Sequence, residues 1–177
     1  MRKPPRSLSA AAIVSALAAT TALTATAPAS AASYHCTTSK KSVDDPAYWG
    51  PLPDNYDFTT TLCAKRSGST IYAYAKISFD GAATFENRPD LLDAARFHLQ
   101  IKRSVSGPDP VVKWKNHYTI EDRLETNNKW GNGSYTTPTL TYKAGSSRYL
   151  ADGFIQLDWN NDGKGYRTTT FSASPTV

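Results

Sequence analysis

The chain has 177 residues, 20 of them basic and 15 acidic, a formal net charge of +5, 40% hydrophobic residues and two cysteines. That length and apolar content suit one folded domain with its own core and exclude a disordered or low-complexity chain. The charge is not a global basicity: Arg2, Lys3 and Arg6 precede the first acid, Asp44, and beyond residue 31 there are 17 basic and 15 acidic residues, a net of +2, too little to draw the chain to nucleic acid.

Arg2, Lys3 and Arg6 are followed by an apolar run from Ala10 to Leu23 and by small residues ending in Ala29-Ser30-Ala31. A basic start, a short apolar run and a small-residue cleavage pattern define a secretory signal peptide. The run of about 14 residues falls short of the roughly 20 that a membrane span needs. Residues 1–31 are therefore read as a cleaved leader and residues 32–177 as a single secreted, extracellular domain with no membrane span. This Ala- and Thr-rich leader resembles those of proteins exported by high-GC Gram-positive bacteria; the resemblance covers the leader alone and implies a bacterial source without a function.

Past the leader, a short strand is expected around Tyr34 to Thr38. Cys36 and Cys63, an even pair in an exported chain, are expected to form a disulfide. Between them DDPAYWGPLPDNYD, with Pro46, Pro51 and Pro53, reads as an irregular surface loop, whose Tyr48 and Trp49 are expected to pack down and staple it to the body of the domain. From Tyr56 the period is two. Tyr56, Phe58 and Leu62 alternate with polar residues, and after the turn RSGS so do Ile71, Ala73, Ala75, Ile77 and Phe79. NRPDLLDAA, with Asn87 as a cap and Pro89 in the first turn, reads as a short helix. ARFHLQIKRSV turns Phe97, Leu99 and Ile101 inward and Arg96, His98, Gln100 and Lys102 outward. VVKWKNHYTI follows the turn SGPDP with Val112, Trp114, Tyr118 and Ile120 on one parity. TIEDRLETN reads as a second short helix, with Thr119 and Asp122 at capping-box spacing. YTTPTLTYK, interrupted by Pro138, reads as an edge strand, and GFIQLDW and GYRTTTFSA close the chain. About eight short strands in one domain predict an all-β fold, an antiparallel β-sandwich, with a closed barrel as the alternative.

Three stretches could carry function. In DWNNDGKGY, Asp158, Asn160 and Asp162 occupy alternate positions before Gly163, as in the opening of a calcium loop, but position twelve is Thr169 where a bidentate Glu is needed. Asn-Asp-Gly between alternating strands is hairpin chemistry in its own right, so the turn is the expectation and a calcium site the alternative; no other cofactor is implied. If the strands around SGPDP pair with their outward faces matched, His98 falls opposite His117, Gln100 opposite Lys115 and Lys102 opposite Lys113. Arg96, His98, Lys102, Lys113, Lys115 and His117 would then form a cationic patch for an anionic polysaccharide or an acidic protein face. Tyr72 and Tyr74, two apart on one sheet face, could stack on sugar rings or anchor a protein. The sequence has no GxSxG or HExxH, and its acids, Glu86, Asp90, Asp93, Glu121, Asp122 and Glu125 among them, form no diagnostic pair. The reading is a secreted non-catalytic protein binding an extracellular protein or cell-wall polysaccharide. A small secreted hydrolase, calcium-stabilised or not, is one alternative; a secreted inhibitor or toxin-complex component is another.

Overall fold

Strict apolar alternation in the middle of the chain dictates long strands with one dry face. The computed structural model describes residues 32–46, 50–52, 54–82, 85, 90–126, 131–160 and 162–177. Its elements in chain order are β1 (His35–Asp44), β2 (Asn55–Ser67), β3 (Thr70–Asp80), β4 (Leu92–Arg103), β5 (Val111–His117), α1 (Thr119–Glu125), β6 (Gly133–Thr136), β7 (Leu140–Lys143), β8 (Tyr149–Trp159) and β9 (Arg167–Thr170). The strands pair antiparallel in two sheets. The first has the order β1-β2-β3-β6, with β7 also on β3, and the second the order β5-β4-β8-β9. Among the described residues no strand pair joins the two sheets, so the closed-barrel alternative is corrected to two open sheets. None of the described helices is long and apolar enough to cross a membrane.

Ile71, Ala73, Ala75, Ile77 and Phe79 of β3 and Phe97, Leu99 and Ile101 of β4 are all buried, as their alternation predicts. One hydrophobic cluster draws on both sheets. Tyr56 of β2 stacks on Trp159 of β8 with ring centroids 6.3 Å apart, and Phe58 of β2 meets Phe171, just past β9, at 6.5 Å. Fully burying such a side chain is worth about 1.5–3 kcal/mol, so these rings are a main source of the core's stability.

Several elements differ from expectation. The first strand is ten residues long and pairs with β2 along its whole length, from His35↔Ala64 to Asp44↔Asn55. Its HCTTSKKSVD is polar on both faces, as an uncovered edge strand allows, and so carries no alternation to read. YTTPTLTYK is two strands along one edge of β3, broken at Pro138. Across the break the Thr137 hydroxyl accepts the Ala75 N–H at 3.0 Å and the Thr137 N–H donates to the Ala75 carbonyl at 2.9 Å. The helix expected over NRPDLLDAA gives way to β4, which begins at Leu92; Asn87 and Pro89 lie outside the described residues, as do the leader and the loop residues Tyr48, Trp49 and Pro53.

The second helix, α1, is present but has no capping box: Tyr118 is the N-cap, already helical at φ −80° and ψ −23°, with no side-chain cap. β5 ends at His117 opposite Phe97, and α1 covers the part of β4 that β5 leaves bare. Glu121 Oε2 accepts the Ala95 N–H at 2.7 Å and Glu125 Oε1 the Leu92 N–H at 3.1 Å. Four apart on one helical turn, the two carboxylates stand where strand carbonyls would. Burial pushes the Glu125 carboxyl above its usual range; the Leu92 amide opposes this, while Glu121, Asp122 and Asp90 add to it.

Candidate functional site

The pairing of β4 with β5 decides which side chains share a face. The register is Phe97↔His117, His98↔Asn116, Leu99↔Lys115, Gln100↔Trp114 and Ile101↔Lys113, with a shift before Lys102↔Val111. This corrects the expected His98–His117, Gln100–Lys115 and Lys102–Lys113 pairs by one residue. A one-residue slip exchanges the two faces of a strand. His117 therefore points inward and is 5% exposed, while Trp114 points outward and is 56% exposed. Lys113 and Lys115 share the parity of His117, opposite the buried Ile101 and Leu99, yet stay exposed because β5 is the sheet edge. The structure thus keeps Arg96, His98 and Lys102 together on the outer face and separates Lys113, Lys115 and His117 from them. Lys102 is ion-paired with Asp152 of β8.

What stands beside Arg96 and His98 is aromatic. The His98 ring stacks on Trp114 of β5 at 5.0 Å and 23° and on Phe154 of β8 at 4.6 Å and 11°. These spacings match the roughly 4.8 Å between neighbouring strands, so the rings stand upright side by side, each face covered by the next. Trp114 ends the row at the sheet edge, and among the described residues no further strand lies beyond it. Each stacked pair adds about 0.5–1.5 kcal/mol beyond its area. His98 Nδ1 donates to Asn116 Oδ1 at 2.5 Å, and Asn116 Nδ2 donates to the Tyr118 hydroxyl at 3.3 Å.

One step along β4, about 6.7 Å for two residues, lies a polar row. Arg96 Nε donates to Gln156 Oε1 at 2.7 Å, and Gln156 Nε2 donates to Thr168 Oγ1 at 3.0 Å. Arg96↔Gln156 and Gln156↔Thr168 are direct cross-strand partners. The guanidinium carbon lies 4.3 Å from the centroid of the Tyr166 ring. Hydrogen bonds from Asn116 and Arg96 hold the Tyr118 phenol below its ordinary range, whereas burial raises that of Tyr166. Trp114, Phe154, Tyr118, Tyr166, Asn116 and Gln156 were not legible as site residues; the parity of KWKNH, with lysines flanking Trp114, is the signal that could have turned that tryptophan outward.

Tyr72 and Tyr74 lie on the outer face of the other sheet and are half-buried. Tyr34 packs edge-on against Tyr74 at 4.9 Å, and Lys65 Nζ sits 4.7 Å from the Tyr34 ring and 5.2 Å from the Tyr72 ring. The Cys36–Cys63 disulfide, with Cα atoms 4.1 Å apart, joins directly opposed residues of β1 and β2 beside them, since Cys63 is also opposite Tyr74. A polar depression of about 460 Å³ opens further along this sheet, lined by Lys40, Lys41, Ser42, Asp57, Phe58, Thr59 and Asp80.

The loop after β8 engages its oxygens separately. Asp162 Oδ1 accepts the Lys164 N–H at 2.8 Å and its Oδ2 accepts from Arg167 at 3.1 Å, while Asn160 donates to the Asp90 carbonyl. Asp158 lies in β8, and Gly163 and Gly165 have φ of +65° and +66°, as the turn requires. Among the described residues no three His, Cys, Asp or Glu side chains gather as a metal-binding group; Asn161 lies outside them. Comparison of the chain with protein families, with curated proteins and with solved structures finds no match.

Proposed function

We propose that the protein is a secreted, non-catalytic β-sandwich whose outer β5-β4-β8-β9 face binds a cell-wall or other extracellular polysaccharide. The observation that carries this reading is the Trp114–His98–Phe154 row lying beside Asn116, Arg96, Gln156 and Thr168 on one open sheet face. Sugars present C–H patches next to hydroxyls, and a surface of ring carbon interleaved with planar hydrogen-bonding groups complements both. A protein hot spot draws on large side chains seated in desolvated pockets. Here the inner ring faces are already filled by one another, and what is offered outward is one exposed indole and a row of polar tips. Export is supported by the leader and the disulfide, and the sandwich by the single core shared between two open sheets. Against the hydrolase reading, Glu121 and Glu125 are engaged with main-chain amides. An inhibitor or toxin-complex component would use the same face for a protein.

Affinity electrophoresis through gels containing separate cell-wall polysaccharides tests the proposal. Retardation by at least one polymer, abolished in Trp114→Ala, is expected. Identical mobility of wild type and variant in every gel, with both folded by circular dichroism, would refute it.

A further inference from the structure

We propose that Arg96 is the binding point for the carboxylate of an acidic sugar unit. This rests on the reading of the same face as a glycan surface and names the class of glycan. The guanidinium is held in place before any ligand arrives: Gln156, itself fixed by Thr168, takes Nε, and Tyr166 lies against the cation. Tyr118 lies near enough to feel the guanidinium charge. Of five N–H donors on a guanidinium, the bond to Gln156 takes one and leaves about four, two of them enough for a bidentate ligand. The neighbouring cations are neutralised, Lys102 by Asp152 and Arg167 by Asp162, whereas no carboxylate of the described residues pairs with Arg96. A rigid, unneutralised guanidinium fork fits one carboxylate with two parallel hydrogen bonds. The surroundings select against denser charge. Glu121 and Asp158 are close enough to act electrostatically on Tyr166, which touches Arg96; their charges oppose a dianionic phosphate or a heavily sulfated chain more than a single carboxylate. Trp114 and the rings behind it, one step along the sheet, would take a neighbouring sugar of the same chain.

Uronic acid oligomers isolate this contact, because methyl esterification removes the charge and leaves the sugar. Oligomers of galacturonate, mannuronate and glucuronate-containing disaccharides, each with its methyl ester, are titrated into the purified protein and into Arg96→Gln, Arg96→Lys and Trp114→Ala by calorimetry. At least one acid form is expected to bind wild type ten-fold or more tighter than its ester. That ratio should fall to about one in Arg96→Gln and recover only in part in Arg96→Lys, which keeps the charge but loses the fork. Trp114→Ala should weaken acid and ester alike. Equal binding of acid and ester by wild type overturns the role of Arg96 while leaving the aromatic platform intact. Absence of binding to every acid overturns it too, and retention of neutral polymers in the gel assay then decides the platform separately. The acid-to-ester ratio within wild type needs no variant, and matching unfolding midpoints guard the variant comparisons.

Discussion

A single buried imidazole ties the second sheet to pH. His117 is 5% exposed, its Nε2 has no hydrogen-bond partner among the described residues, and its Nδ1 lies 3.4 Å from the Tyr135 hydroxyl. Burial first, then the charges of Lys115 and His98, hold its pKa below 6.5. The unfolded chain therefore takes up a proton on His117 at a higher pH than the folded protein does. The stability linked to this residue is whole above about pH 6.5, declines as the pH drops below it, and stops declining once the folded imidazole also charges. The urea midpoint should thus fall between pH 7.5 and 5, and His117→Gln should flatten that fall. An unchanged slope in the variant would mean that another group carries the dependence. At the proposed binding face the residues that the proposal rests on were hidden for a related reason. An apolar-inward rule sends Trp114 into the core and a charged-outward rule sends His117 to the surface, and the protein does the reverse at both.

At the scale of elements, β2, β3 and β4 were readable because Ile, Leu, Ala and Phe recur at every second position over most of their length, and there the buried set follows that parity apart from Cys63, whose side chain is held in the disulfide. β5 was not, since one residue of register exchanges its faces and no turn signal in SGPDP fixes that register. The meeting of Trp114, His98 and Phe154 depends on three strands in register, which no local pattern states. The short helix α1 makes its own prediction. Glu121→Ala strands the Ala95 N–H and should cost about 1–3 kcal/mol in urea unfolding; Glu121→Gln, whose amide oxygen still accepts, should cost clearly less. Equal losses would assign the effect to charge instead of to the missing acceptor. In the loop after β8, the Asp162–Arg167 pair at 3.1 Å already supplies the cation. Millimolar calcium should leave the thermal midpoint unchanged, whereas a rise of several degrees that vanishes in Asp162→Ala would restore the calcium alternative.

For the whole molecule, β1 is the element that packing holds least: a polar edge strand whose described residues are mostly exposed. The disulfide, closing 27 residues of chain, is worth about 3.5 kcal/mol on the chain-entropy account. Reduction, or Cys36→Ser with Cys63→Ser, should lower the unfolding free energy by a few kcal/mol and bare Tyr74 where Tyr34 now covers it. An unaltered midpoint would show that β1 needs no tether. The glutamates of α1 bear on the company the protein keeps. An open sheet can grow by adding a strand from another copy, and main-chain amides left free at an edge invite it. Past the end of β5 those amides on β4 are already taken by Glu121 and Glu125, and along β5 itself an incoming strand would meet Lys113 and Lys115. Two carboxylates and two ammonium groups thereby oppose the addition of a foreign strand along this border, beside which the sheet displays its aromatic rings.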